Sequence, residues 1–518
     1  MSTFALGSVG GKITPHPILF VPELLLKIFN YLCIPTKLLN LDDIDSASLA
    51  CKSWHGPALV VKWMHADFRP LISVAAPLRR SEDLGFTFRR PPRAEDWRRF
   101  DKIAPLVHSL LMRATSDICI SLLSSGFRTR KDPSSPLLPN LRAVTIELTD
   151  EDDINGVIPF FPSSLQHLTI LNVNNLHTKD LATLLERIPS QFCTLSTLGL
   201  HGATLVDLEL GRTIARLSHL RTVDLPDMLL CSAIAAPLSE LPCLETLRVG
   251  GRPHAIGQVG MGTLMSGAFP KLIELVAHFL FDHTTFFLLN EIASTHSIKT
   301  LEMTHGEVAG VKVPADLEAA AGAIALHRTA LRCLALHSVL ADRISANVTQ
   351  TLSACSNLEY LDLNVVTSVT QVTDIDVEHL VKHLPRLEHL GMYIESDPTP
   401  QLTLQSLVSA LHHCPRLKFL GLWADATSAK LPITRTPLHH NTPFTLNIGS
   451  RDSWRELCPI DSTQAVGALL ATLPIIAIEP VCWGLGIASW KPWREVERVI
   501  PSCVRPAIMA KTLRGYDQ

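Results

Sequence analysis

One frame of apolar positions recurs along most of the chain. In Cys414–Trp423 it is Leu417, Leu420 and Leu422, apolar at the first, fourth and sixth places with polar or small residues between. Reading backwards, it returns at Leu387/Leu390/Met392, Leu358/Leu361/Leu363, Leu331/Leu334/Leu336 and Ile298/Leu301/Met303. Further copies are Leu272/Leu275/Ala277, Leu244/Leu247/Val249, Leu220/Val223/Leu225, Leu195/Leu198/Leu200, Leu165/Leu168/Ile170 and Leu141/Val144/Ile146. A weaker one is Val107/Leu110/Met112. The mean step from Leu141 to Leu417 is about 28 residues. The fourth and sixth places alternate as one face of a strand requires, so the third, fifth and seventh point the other way. Between the strands lie helical patterns: Thr178 before the run Lys179–Ile188, Thr373 with Asp376 as a capping box, and Leu402–His413.

A period in the twenties built on this frame is the leucine-rich-repeat signature. Strand, helix and parallel strand form a right-handed crossover. Stacking such units gives an α/β solenoid of about 12 repeats, its parallel strands on the concave face. A single repeat buries too little to stand alone, so residues 101–450 read as one array. Residues 451–518 read as an irregular last repeat and cap, with a helix over 463–472 and a strand over 475–478. The apolar stretch Ala465–Trp490 is long enough to span a bilayer, but Pro474, Glu479 and Pro480 interrupt it, so no membrane segment is expected.

Residues 18–70 lack the frame. Pro22 suits a first helical position, and Leu24, Leu25, Ile28, Phe29 and Leu32 then make an amphipathic helix. A second helix is expected from a cap at Asp42 or Asp43 to Cys51, and a third from about Trp54 to Ala66 with Pro57 in its first turn. Three short helices before a repeat array are what a cap on its open end needs. The residues also resemble the F-box: Leu19 to Leu32 reads Leu-Phe-Val-Pro-Glu-Leu-Leu-Leu-Lys-Ile-Phe-Asn-Tyr-Leu, followed by Leu49-Ala-Cys-Lys-Ser-Trp54, then Leu59 and Trp63. Phe20-Val21 stands where that family has Leu-Pro, and the loop Cys33–Leu41 is longer than usual. With the repeats, the arrangement looks like the F-box proteins abundant in mushroom-forming fungi. The resemblance implies a module that docks a Skp-type adaptor, and through it a cullin scaffold, through Phe20, Val21, Pro22, Leu25, Ile28, Leu32, Trp54, Leu59 and Trp63. It implies a substrate receptor of a ubiquitin ligase, binding a protein target and working in the cytoplasm or nucleus.

Composition narrows the alternatives. Forty-six basic against forty-nine acidic residues give a charge of −3, which argues against a general nucleic-acid binder. The twelve cysteines include no Cys-x-x-Cys pair and read as reduced structural thiols. Residues 71–100, with Arg89, Arg90, Arg93, Arg98 and Arg99 among acidic residues, read as a solvated connector. Asp150–Asp153 and Pro253–Gly267 read as exposed loops, and Gly7–Lys12 misses a phosphate loop by one glycine spacing. His379 and His383 lie one helical turn apart without a third ligand. No catalytic, cofactor or metal constellation emerges, so the chain reads as a binding protein and not an enzyme. Two other readings remain: a scaffold with no ubiquitin role, and a repeat-bearing accessory such as a GTPase activator. The expected target site lies on the last three repeats, where Tyr360, His389, Tyr393, Phe419 and Trp423 occupy outward places, with Gly391 and Gly421 leaving room above the sheet; the alternative is that the C-terminal tail folds back over these aromatics and makes them core.

Overall fold

The computed structural model describes residues 21–32, 41–81, 85–90, 92–113, 136–148, 161–173, 178–202, 208–228, 232–250, 268–278, 288–292, 298–304, 316–396, 401–424, 444–449 and 475–481. The chain divides into two compact units, residues 1–199 and 200–518. The division falls within the repeats and not at the end of the N-terminal helices.

The first unit begins with α1 (Pro22–Leu32), α2 (Leu41–Ala50) and α3 (Lys52–Met64). The second helix already starts at Leu41, ahead of the expected Asp caps. The third starts at Lys52 and runs straight into β1 (His65–Asp67). Residues 71–100 are more than a connector. Strands β2 (Leu78–Ser81) and β3 (Gly85–Phe88) form an antiparallel hairpin, and a helix follows over Ala94–Ile103. Trp97 and Phe100 anchor that helix in the core at 1% and 0% exposure. Arg90 reaches Asp96 at 2.6 Å, and Asp96 also accepts the Arg93 N–H at 2.7 Å, so part of the arginine run holds the helix start. These contacts hold the Asp96 carboxyl far below the usual carboxylate range, the Arg90 hydrogen bond foremost.

Strands β4 (Ser109–Met112), β5 (Ala143–Glu147) and β6 (His167–Leu171) continue in parallel from β1, in the order β1-β4-β5-β6. At β7 (Thr197–Leu200) the Thr197 N–H donates to Gln166. The second unit carries β8 (Thr222–Leu225), β9 (Thr246–Gly250), β10 (Glu274–His278), β11 (Thr300–Thr304), β12 (Cys333–Ile344), β13 (Tyr360–Thr370), β14 (His389–Ser396), β15 (Phe419–Trp423), β16 (Phe444–Gly449) and β17 (Ile475–Val481). Each is parallel to the next in sequence order. The architecture is therefore α/β, each unit a stack of leucine-rich-type strand–helix repeats.

The apolar frame explains the register. Its first, fourth and sixth residues are the core: Leu244, Leu247, Val249, Leu358, Leu361, Leu363, Leu387, Leu390 and Met392 are at most 1% exposed. The second place fixes the step to the neighbour. The Glu245 carbonyl accepts from the N–H of both Ile273 and Glu274, and Arg332, Glu359 and Glu388 each do the same for the next strand. A slip by one residue would break both bonds and turn the leucines outward. Helix starts are tied across repeats as well. Asp376 accepts the Thr373 N–H, as the capping-box pattern requires, and the Thr373 hydroxyl as well, while Asp374 accepts the Thr403 N–H at 2.8 Å and its hydroxyl at 2.6 Å. Among the buried polar groups, a histidine stands out against the hydrophobic pattern. His327 is fully buried, its Nδ1 accepting from the Ile298 N–H and its Nε2 donating to the Leu289 carbonyl, both at 3.1 Å.

Candidate functional site

Two surfaces carry the residues singled out in the sequence. In the N-terminal module, Leu25 and Phe29 lie one helical turn apart and face Ile44, Ala58 and Val61 to make a small core. Trp54 closes it, its ring edge-on to Phe29 at 5.8 Å. Lys62 spans to both carboxylate oxygens of Asp45 at 2.6 and 2.8 Å. This geometry divides the expected adaptor residues. Leu25 (1% exposed) is interior because it falls on the stripe that α1 turns toward this core, whereas Trp63 (8%) is buried apart from that cluster; neither side chain is exposed. Trp54 and Leu59 are half-buried, whereas Val21, Pro22 and Ile28 are exposed. Phe20 and the Leu32 side chain lie outside the described residues.

The first helix has a second apolar stripe. Val21, Leu24, Ile28 and Tyr31 are spaced three, four and three residues apart, the spacing of one helical face. Ile28 is 41% and Tyr31 59% exposed, and Leu49 on α2 is 83% exposed. The 3-4-3 spacing in the sequence marks Tyr31 beside Ile28, whereas Leu49 sits on a different helix and outside that pattern. Cys51, just before α3, is exposed with its thiol pKa lowered, chiefly by the Ser53 hydroxyl at 3.0 Å.

The second surface is the open face of the sheet over β13–β15. Tyr360, His389 and Phe419 stand side by side in register. Their rings stack, Tyr360 on His389 at 4.0 Å and His389 on Phe419 at 4.2 Å, nearly parallel in both cases. All three are half-buried. Tyr393 and Trp423 differ from expectation, being 9% and 8% exposed. The room that the glycines leave is occupied by neighbouring side chains. A Cβ on Gly421 would sit 2.0 Å from the Tyr393 hydroxyl, and one on Gly391 2.6 Å from the Asp362 carboxylate. Gly391 and Gly421 thus make space for a buried tyrosine and a carboxylate, and the face open to a partner is the Tyr360–His389–Phe419 ledge.

Asp362 is the unusual group here. Its Oδ2 lies 3.5 Å from the Tyr360 hydroxyl and 3.9 Å from His389 Nε2, while Oδ1 and that Nε2 are buried without a hydrogen-bond partner. Other carboxylates on this face are better served: Asp224 meets His201 at 3.2 Å and Glu274 meets Arg248 at 3.1 Å. The Asp224 contact raises the His201 pKa against the opposing effect of burial. Burial, then Asp362, pushes the Tyr360 hydroxyl up to about 12.

The remaining motifs yield no site. His379 and His383 have rings 4.6 Å apart, and His383 Nδ1 bonds to the His379 carbonyl at 2.8 Å. Among the described residues no group of three or more His, Cys, Asp or Glu is placed to hold a metal, and no helix is long and apolar enough to cross a membrane. The six described cysteines are free thiols. Gly7–Lys12, Asp150–Asp153, Pro253–Gly267 and the helix expected over 463–472 lie outside the described residues, whereas the strand expected over 475–478 is present as β17.

No family model matches the sequence, and no curated protein does. Solved structures do show likeness. The chain is similar to the structure of the Rad7 and Elc1 complex in yeast (TM-score 0.37, 15% identity, covering 74% of this chain and 92% of the other). It is also similar to the leucine-rich repeat-containing protein LegL7 from Legionella pneumophila (TM-score 0.32, 11% identity, 56% and 83%). A third is TLR13 in its ssRNA13 complex (TM-score 0.31, 14% identity, 67% and 48%). Likeness at this level adds nothing to the architecture already described.

Proposed function

We propose that the chain is the substrate-recognition subunit of a Skp–cullin–F-box ubiquitin ligase. The N-terminal helices dock the Skp-type adaptor, the repeats hold a target protein, and the chain itself performs no chemistry. The observation that carries this reading is the second apolar stripe on α1. A module of this size has one small core, which Leu25 and Phe29 already serve; Ile28, Tyr31 and Leu49 are surplus to it and exposed. An exposed apolar stripe along a helix marks a partner surface, and the F-box-like residues name the partner class. The open sheet face supplies the other half, since repeat stacks present such faces for binding.

The test is affinity purification of the full chain from its own cells. Retention of a Skp-type adaptor and a cullin supports the assignment, and their absence from a folded preparation removes it. A scaffold with no ubiquitin role is favoured by a different observation. The third helix continues directly into β1, which pairs with β4 as the end-cap of a repeat stack would. In that case the same purification returns a target protein without adaptor or cullin.

A further inference from the structure

Strand β12 carries small residues at the outward places where its neighbours carry large ones. Cys333 lies between Thr300 and Tyr360, and Ala335 between Glu302 and Asp362, in the sheet register. The result is a low strip floored by Cys333 and Ala335, walled by β11 on one side and β13 on the other. Its walls are two strand spacings apart, about 9–10 Å. His389 covers one face of the Tyr360 ring, and the opposite face looks over the strip.

The strip is electrostatically one-sided. Across β8–β15 the outward places hold four carboxylates, Asp224, Glu274, Glu302 and Asp362, against the one guanidinium of Arg248. Among the described residues Glu302 has His337 Nε2 near it at 3.8 Å, and Asp362 has His389 Nε2 at 3.9 Å. Neither imidazole is within hydrogen-bonding distance. The carboxylate field is felt at the floor: the Cys333 thiol is pushed up to about 11 by burial and then by Glu302, Glu274 and Asp362. Among the described residues no group of three or more His, Cys, Asp or Glu is placed to hold a metal ion. A planar guanidinium needs only a charge-assisted hydrogen bond of about 2.8 Å to a carboxylate on each side, and its flat face suits the tyrosine ring.

We propose that this strip receives an arginine side chain of the bound protein, its guanidinium held between Glu302 and Asp362 and stacked on the outer face of Tyr360. The assignment rests on the reading that the open sheet face holds the target, and it gives that target a chemistry: an exposed segment bearing arginine. Lysine offers charge without the plane and fits less well.

The probe is a biotinylated Gly-Ser peptide carrying arginine, with twins carrying citrulline or lysine, measured by interferometry against the full chain. The arginine peptide is expected to bind saturably, the citrulline twin not at all, and the lysine twin about tenfold more weakly. Glu302→Gln, at a half-exposed side chain, is expected to weaken the arginine peptide about tenfold while leaving the melting curve unchanged. Asp362→Asn provides an independent second variant. Equal binding of the citrulline or lysine twin, indifference to both variants, or no saturable binding overturns the proposal. A photo-cross-linking residue in place of Thr300, which borders the strip opposite Cys333 and takes no part in the proposed contacts, separates the two levels. Capture of a cellular protein that Glu302→Gln does not reduce overturns the arginine assignment and leaves the open face as the binding surface. No capture removes both.

Discussion

The N-terminal helices and the repeats use apolar side chains in opposite ways. In the repeats the frame residues pack from strand to strand, and exposure falls to 0–2% from Leu244 to Met392. In the three-helix module Leu25 is 1% exposed while Ile28, three residues on, is 41% exposed, and Leu49 is 83% exposed. A repeat satisfies its hydrophobic face with more of itself. The module has no second copy to stack on, so an outward apolar stripe persists only if something else covers it. That difference is what the proposed adaptor docking rests on.

The contrast breaks at its strongest point if a frame leucine proves dispensable. Leu361→Ala is expected to cost about 2–5 kcal/mol, because the side chain is fully buried and its neighbours on adjacent strands are held by register. Denaturant unfolding measures it, and a cost well under 1 kcal/mol would mean that the repeats are loosely packed. Within the module, Leu25→Ala is expected to cost about 2–4 kcal/mol and Ile28→Ala less than about 1 kcal/mol, although the two share one helix. Similar losses for both would place Ile28 in a core as well.

A smaller effect tests how tightly the repeats close. A Cβ at Gly250 would stand 2.3 Å from the Pro226 carbonyl oxygen and 2.7 Å from the His278 Cβ, so Gly250→Ala is expected to cost about 1–3 kcal/mol. Thiol chemistry sharpens the same comparison without changing stability. Cys51 in the module is exposed with a lowered pKa, whereas burial pushes Cys355 up to about 11 and Cys414 up to about 12. Thiolate is the reactive form, so iodoacetamide near neutral pH is expected to label Cys51 more than about a hundredfold faster than either. Rapid labelling of Cys414 in the native protein would show the last repeats opening.

Much of this was legible in the sequence because the frame is periodic and the period fixes which side faces the core. Each frame triplet from Leu141 to Leu417 lies on or next to a strand where expected, and Thr373 with Asp376 caps its helix. What escaped depends on residues brought together across strands. The glycines at 391 and 421 read as open space, but their neighbours fill them, and no single-strand pattern tells a cavity for a ligand from a seat for Tyr393. The hairpin over 78–88 and the buried His327 are invisible for the same reason. In the module, the pattern showed an apolar helix without distinguishing inner from outer stripe; Leu25 and Ile28 separate only once α2 and α3 are in place.

The most direct test of the central claim is the affinity of a purified Skp-type adaptor for the full chain and for Ile28→Asp, measured by isothermal titration. Point substitution is preferable to removing residues 18–70, which would also delete β1 from its pairing with β4. The expected result is saturable binding to the full chain and a loss of at least about a hundredfold in Ile28→Asp, as for a central interface residue, with the unfolding midpoint unchanged. Equal affinity for both, or no binding to the folded full chain, would contradict the assignment of this stripe to an adaptor.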